Sequence, residues 1–421
     1  MLRKLFKVGL VLGLLVALAV AAAAGLAWVL GPPVQEGYDP EAFEPAEPGG
    51  DALAGRRLAA LLCHRCHYDV ETGALTGRSL APEYRDLGRA YASNITGERN
   101  RGIGDWSDGA LTMYLRTGVH PLRNELSPPY MPHLPNIADV DLANLIAFLR
   151  SDDPWVEGQR VADEASEMTY GSVVRSWLTW SPGPQSNPKV PRPADSEPIA
   201  LGAYLANDLL QCHGCHSASL ASAKWLEPAD SAGFYAGGGA LVALDGKVYI
   251  GSNLTPSDSG LGTWTYEQFR RALTEGFDPD DRPIRWPMPT YPELTDGELE
   301  AMFAYFKTLD PSDEEVPKGH RPRPTPAIVD AGRHVYEREA CVVCHPNERA
   351  GLKSLKALDE TFPDDASLRA YLADPQSKTP GARMPAYGER LSAQDMDALI
   401  EYLRRRAKKG PYAAPPMRDR F

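Results

Sequence analysis

Cys63-His64-Arg65-Cys66-His67, Cys212-His213-Gly214-Cys215-His216 and Cys341-Val342-Val343-Cys344-His345 decide the reading of this chain. Each is C-x-x-C-H. On a helical turn the two cysteines and the last histidine fall at i, i+3 and i+4, so their side chains share one face. Two sulfurs there can bond the vinyl groups of a haem while His67, His216 or His345 ligates its iron. The three stretches use all six cysteines of the chain. Other uses of C-x-x-C fit less well. A thioredoxin-like site needs a βαβ setting that the pattern lacks. Zinc sites shared between stretches would have to join pairs about 130 to 150 residues apart, each already carrying its own histidine. A disulfide inside one pair removes little chain entropy. The expectation is three covalently bound haem c groups.

Outward from each stretch, one methionine followed by proline precedes a closing amphipathic helix: Met131, Met288 and Met384. The interval to the helix aromatic (Phe148, Tyr305, Tyr402) is 17, 17 and 18 positions. A loop thioether restrained by proline suits the second axial position of iron. Met302 and Met396 fall inside the closing helices and read as packing residues, and Met113 aligns with Arg271. His133, two positions after Met131, is the rival ligand for the first haem. His64 and His213 are expected to face solvent. His120, His320 and His334 have no counterpart in the other repeats and read as surface residues.

The repeats span 51–152, 197–310 and 327–410, with proline-rich linkers at 153–196 and 311–326 that read as semi-extended spacers. Trp155, Trp177 and Trp180 in the first linker are too apolar for a free spacer and are expected to pack. The first two repeats share Ser93-Asn94-Ile95-Thr96 with Ser252-Asn253-Leu254-Thr255, and Gly102-Ile103-Gly104-Asp105-Trp106 with Gly260-Leu261-Gly262-Thr263-Trp264. Asn94, Asn253, Trp106 and Trp264 carry N–H donors that could reach a haem propionate. A turn with a buried tryptophan explains the same residues equally well. The third repeat is shorter and lacks the glycine–tryptophan segment.

At the N-terminus, Arg3, Lys4 and Lys7 precede an uncharged apolar run from Val8 to Gly31, long enough as a helix to cross a bilayer. Basic residues before the span put that end inside. Ala21 to Ala24 offer signal-cleavage positions, but Leu26, Trp28, Val29 and Leu30 continue the apolar character past them. Residues 1–35 therefore read as a membrane anchor or signal segment, the anchor favoured, and the body is exported either way. A net charge of −12 argues against nucleic acid as a partner. The basic run from Arg404 to Lys409 reads as a solvated last helical turn that complements the macrodipole.

These units of helix, C-x-x-C-H, loop Met-Pro and closing helix resemble class I cytochrome c domains. The first two are similar to haem domains of the membrane-anchored tri-haem cytochrome subunits of periplasmic alcohol and gluconate dehydrogenases. The third is similar to a plain single-haem cytochrome c. The resemblance implies an all-α fold of three tandem class I cytochrome c domains after an N-terminal transmembrane helix. It also implies His/Met ligation, residence at the bacterial inner membrane with the haem domains in the periplasm, and no substrate chemistry of the chain's own. The implied partners are a dehydrogenase subunit as electron donor and a quinone-linked or terminal-oxidase acceptor. A multihaem oxidoreductase with one open haem, peroxidase-like or acting on sulfur compounds, is the alternative, and a haem sensor or scaffold a third class. The first repeat departs from the pattern in its shorter stretch before Asn94 and in His133.

Overall fold

The Asp51 carboxylate accepts from the N–H groups of Leu53 and Ala54 and so opens α1 (Ala52–Leu62), which runs into the single turn α2 (His64–His67). Ser107 caps α3 (Asp108–Thr117), which ends on Gly118 at φ 73°, a left-handed stop suited to glycine. α4 (Asp139–Leu149) closes the first unit. In the second unit Pro198 starts α5 (Pro198–Ala203), which continues as a π-helical turn, Tyr204–Leu209, before α6 (His213–His216). α7 (Tyr266–Thr274) and α8 (Asp296–Phe306) each begin with a complete capping box, Thr265/Gln268 and Thr295/Glu298. The third unit contains α9 (Ala327–Arg338), α10 (Leu358–Thr361), α11 (Asp365–Ala373), α12 (Pro375–Lys378) and α13 (Ala393–Lys409). Ser392 Oγ accepts from Asp395 N–H at the start of α13, as the sequence predicts. Two short antiparallel ladders complete the described chain, β1 (Gly88–Arg89) with β2 (Glu167–Met168) and β3 (Ala240–Val242) with β4 (Val248–Ile250).

This computed structural model describes residues 33–44, 49–69, 71–80, 88–128, 130–161, 166–170, 182–242, 248–280, 288–313, 327–339, 358–379, 384–388 and 390–409, with single positions such as Leu26, Val29, Gly31 and Cys341. Most of the apolar run from Val8 to Gly31, and with it the anchor expectation, lies outside the described residues. So do Trp177, Trp180, His320, Cys344 and His345. Among the described residues no helix is long and apolar enough to cross a membrane.

The fold is mainly helical, and its chief contacts repeat. α1 packs on α4, α5 on α8 and α9 on α13. At each crossing a glycine faces a backbone carbonyl. A Cβ added at Gly55, Gly202 or Gly332 would stand 1.9, 2.0 or 1.9 Å from the carbonyl oxygen of Asn144, Ala301 or Ala398. The next residue met is Phe148, Tyr305 or Tyr402, at its Cβ, the aromatic of the closing helix in all three units. Only a residue without a side chain lets the backbones come this close.

The first two units share one apolar core, in which Leu58, Leu145 and Phe148 belong to the same cluster as Leu205, Met302 and Phe306. The third has its own, around Tyr336, Leu368, Met396 and Leu399. Met302 and Met396 are thus buried packing residues, as their helix positions predict.

The segment expected to be a spacer at 153–196 differs from that reading over its described length. Trp155 O accepts from Leu75 N–H and Val156 O from Gly97 N–H. β2 pairs with β1, Gly183 N–H donates to Thr117 O, and Val190 O accepts from Asp139 N–H. The segment is a belt around the first unit. Its prolines supply extended backbone whose carbonyls bond across to the unit instead of to solvent. Trp155 does pack, against Tyr68 and Phe148, with the Arg56 guanidinium 4.1 Å above its ring.

Candidate haem-attachment site

The helical turns α2 and α6 carry two of the C-x-x-C-H stretches at the ends of α1 and of the π-helical turn. Both proximal histidines are buried and held the same way. His67 Nδ1 lies 2.7 Å from Ser93 O and His216 Nδ1 2.8 Å from Ser252 O. A carbonyl only accepts, so Nδ1 carries the proton in each ring and Nε2 is the nitrogen with a lone pair to offer a metal. Burial holds the His67 ring below the usual histidine range, in the neutral form that binds metal.

None of the described cysteines is in a disulfide. Burial, reinforced by the neighbouring thiol, pushes Cys63 up to about 12 and Cys212 likewise to about 12. These are protonated thiols in an apolar setting, on the same turn as a histidine whose Nε2 can bind a metal. That donor set fits a c-type haem, with thioethers to both sulfurs and nitrogen to iron.

The carbonyls that fix the histidines belong to the Ser-Asn-x-Thr quartets. Asn94 Oδ1 accepts from Thr96 N–H and Oγ1, at 2.9 and 2.7 Å, and Nδ2 donates to Gln159 O at 2.9 Å. Asn253 repeats this with Thr255 N–H and Oγ1, at 2.8 and 2.7 Å, while its Nδ2 donates to Ser312 O at 2.8 Å and to the Ser257 and Ser259 hydroxyls. The threonine hydroxyls accept in turn from Gln159 N–H and Ser312 N–H. Each quartet therefore clasps the strand leaving its closing helix, and the amide donors weighed for a propionate are engaged within the clasp. Sequence reasoning noted Ser93, Thr96, Ser252 and Thr255 only as members of the repeated quartets, without this role, and did not single out Gln159 or Ser312. The repeated quartet was the available signal.

A second staple also escaped it. The cation two positions after the helix aromatic bonds the turn before the middle helix in all three units. Arg150 donates to Ile103 O and Trp106 O, Lys307 to Gly262 O and Trp264 O, and Arg404 to Phe362 O. Arg404 also reaches the Asp365 carboxylate at 3.0 Å, so the first residue of the basic run is engaged rather than solvated. Trp106 stacks edge-on against Tyr114 and His120, and Trp264 packs on the shared core.

Met131, Met288 and Met384 are half-buried. Met288 lies against the shared core and Met384, with Cys341, against that of the third unit. Arg116, fully buried, ties α3 to the segment after Met131 by donating to Pro135 O at 3.0 Å and to Asp139 at 2.6 Å. His133 is half-buried, and burial lowers it to about 4. His213 differs from expectation: it is fully buried beside Trp225 and Phe234 rather than facing solvent. His64 is half-buried, stacked on Tyr68 at 4.4 Å. Its neighbour in sequence, Arg65, is exposed, because successive residues on a turn point in different directions.

The stretches are joined reciprocally. The loop after Met131 meets the approach to the second stretch, where Gln211 donates to His133 O at 2.8 Å and Asn136 to the Asp208 carboxylate at 2.9 Å. The loop after Met288 meets the first, where Arg57 donates to Glu293 O at 3.1 Å and the Arg65 charge acts on Tyr291 and Cys215. Arg57 also grips buried Glu298 with two bonds, 2.7 and 2.9 Å. From the third unit Arg390 stands 5.9 Å from the Tyr68 ring, and its charge reaches His64.

Residues 327–403 match the family model described as cytochrome c oxidase, cbb3-type, subunit III. The chain is 28% identical to one of the subunits of nicotinate dehydrogenase from Pseudomonas putida over 84% of its own length, but it spans only 30% of that relative. It is 25% identical to the cytochrome c subunit of a quinone alcohol dehydrogenase from Gluconobacter oxydans, covering 76% of this chain and 71% of the relative. It is also 25% identical to the gluconate 2-dehydrogenase cytochrome c subunit of Pantoea cypripedii, covering 85% of each. The chain is therefore a homologue of the cytochrome c subunits of alcohol and gluconate dehydrogenases, with a cytochrome c domain over residues 327–403.

Proposed function

We propose that this chain is a tri-haem electron carrier, anchored by its N-terminal segment on the periplasmic side of a bacterial inner membrane. It would pass electrons from a dehydrogenase subunit to a quinone-linked or terminal-oxidase acceptor. The observation that carries the reading is the matched pair of histidines, His67 and His216, each with Nδ1 fixed by a serine carbonyl in the same quartet. The third stretch joins them through the glycine crossing that all three units share and through the match over 327–403. Cys63, Cys66 and His67, Cys212, Cys215 and His216, and Cys341, Cys344 and His345 would hold the three groups, with Met131, Met288 and Met384 as the second ligands.

A bound haem supplies one-electron chemistry at its iron. The chain's own residues fix the rings of His67 and His216 and set the first two stretches beside one another. The residues around the first stretch meet both other units, through Arg57 and the charge of Arg65 to the second and through Tyr68 to the third. This supports the first stretch as the junction of the proposed path. The relatives named as dehydrogenase subunits support a dehydrogenase as the donor.

The test is the haem-to-protein ratio of the chain purified from membranes with its co-purifying subunits. Three haems per chain and a co-purifying dehydrogenase are expected. A ratio of one would overturn the tri-haem reading, and ligand binding at the ferrous iron without loss of a methionine would favour an open, catalytic haem.

A further inference from the structure

The hairpin at 118–127 carries an exposed apolar tip that neither the core nor the proposed haem sites use. Val119 pairs with Leu126, His120 N–H donates to Glu125 O at 2.8 Å, and Asn124, at φ 53°, turns the chain back. Leu122 at the tip is 78% exposed. Beside this hairpin runs the segment that leaves the apolar N-terminal stretch. Gln35 N–H donates to Asn124 O at 2.6 Å, Val34 bridges to Glu125, and Leu126 N–H points to Pro33 O at 3.5 Å. Val34 is 61% exposed, and on the near side of it Leu26 and Val29 are 59% and 80% exposed. Exposed apolar side chains at this end of the molecule, Leu26, Val29, Val34 and Leu122, thus lie in or next to the apolar run, with exposed Arg123 and Glu36 among them.

Chain length makes the juxtaposition restrictive. Gly31 ends the run, and Val34, three residues on, is already paired with the hairpin. Three residues span at most about 10 Å, and Pro32 and Pro33 stiffen them. A span that ends at Gly31 in the headgroup region thus holds the hairpin within about 10 Å of it.

We infer that the 118–127 hairpin rests on the lipid bilayer, with Leu122 inserted below the headgroups and Val34 beside it. The inference rests on the proposed anchor and extends it from a tether to a fixed orientation. Arg123, paired with Glu125 at 3.3 Å, sits next to Leu122 at headgroup level. The base of the hairpin leads into the Met131 loop, where Ser127 N–H donates to Gly118 O at 2.7 Å. Of the three candidate ligand loops, Met131 is then the one held nearest to lipid, where a membrane-dissolved redox partner arrives first.

The full-length chain, reconstituted alone in phosphatidylcholine–phosphatidylglycerol vesicles, tests this with Leu122→Cys and Asp195→Cys, both solvent-exposed in the fold. Each is alkylated with a charged maleimide and with a lipid-dissolved one, and read by mass. The charged reagent is kept out of the hydrocarbon, so Leu122→Cys, close enough to the headgroups for its thiol still to ionise, should react with it about tenfold or more slower than Asp195→Cys, while taking up the lipid-dissolved one. Equal rates in a chain that resists alkaline carbonate extraction would overturn the footing and leave the anchor standing. Protection in native membranes but not in vesicles would overturn it in favour of a partner subunit covering the tip. Release by carbonate would overturn the anchor, and the footing with it. Leu122→Asp, with intact haem absorbance as the check of folding, should restore water access across the hairpin.

Discussion

At the residue scale the site is governed by side chains that never touch the proposed iron. Asn253 is buried and makes five hydrogen bonds, the acceptors and donors of the clasp that holds Ser252 O against His216. Asn253→Ala strands Thr255 N–H and Ser312 O away from water. It should lower stability by about 2–3 kcal/mol, measured by denaturant unfolding followed at the haem band. His120 offers a pH test away from the haem stretches. Burial, with Arg123 second, lowers it to about 4, and its Nδ1 accepts from Leu122 N–H at 3.2 Å. The unfolded chain binds this proton from about pH 6.5 downward while the folded chain resists it. Stability therefore falls as pH drops from 6.5 through about 4, by at most about 3 kcal/mol and less for the part of the ring that water reaches. His120→Gln keeps an acceptor for Leu122 and should remove that part of the acid dependence, read as the difference between the two unfolding curves across that window.

Elements are held by their crossings, and two glycines on neighbouring helices should behave in opposite ways. Gly202→Ala drives a methyl into Ala301 O, so α5 and α8 must part; a loss of about 3 kcal/mol or more is expected in thermal unfolding. Gly297, inside the first turn of α8, has nothing within 4 Å. Gly297→Ala should be neutral or raise stability by up to about 1 kcal/mol in the same measurement. Legibility in the sequence divides along the same line. The helix leading into each stretch, the caps at Thr295 and Ser392, and the closing helices could be read because cap side chains and apolar periodicity are written in residue types. The C-x-x-C-H stretches and the Met-Pro loops were visible for the same reason. Ser93 O and Ser252 O were not, because a carbonyl has no residue identity. The belt at 153–196 was read as a spacer because proline density reports an extended backbone without saying what that backbone bonds to. His213 was placed in solvent because its burial comes from Trp225 and Phe234, which follow it by 12 and 21 positions in an irregular loop.

For the whole molecule, the first two units stand or fall together. Glu298 is buried; desolvation raises its carboxyl, but the Arg57 bonds outweigh this and hold it below the usual carboxylate range. Arg57→Ala leaves that charge with only Arg192 at 3.7 Å and the Thr295 bonds, and should cost about 3 kcal/mol, seen as a lower unfolding midpoint and new proteolysis between the units. Arg57→Leu with Glu298→Leu should cost less than the single change. The depressed Glu298 pKa makes its contribution present above about pH 4.5 and lost as pH falls further. The clasps carry a consequence for how the protein is made. Asn94 closes on Gln159, 65 positions later, and Asn253 on Ser312, 59 positions later. At about 5–20 residues per second, the first stretch emerges several seconds before the strand that locks it. Chain length thus puts Cys63 and Cys66, and Cys212 and Cys215, ahead of the segment that closes over each pair, and the proposed attachment of haem would fall in the interval before that segment arrives.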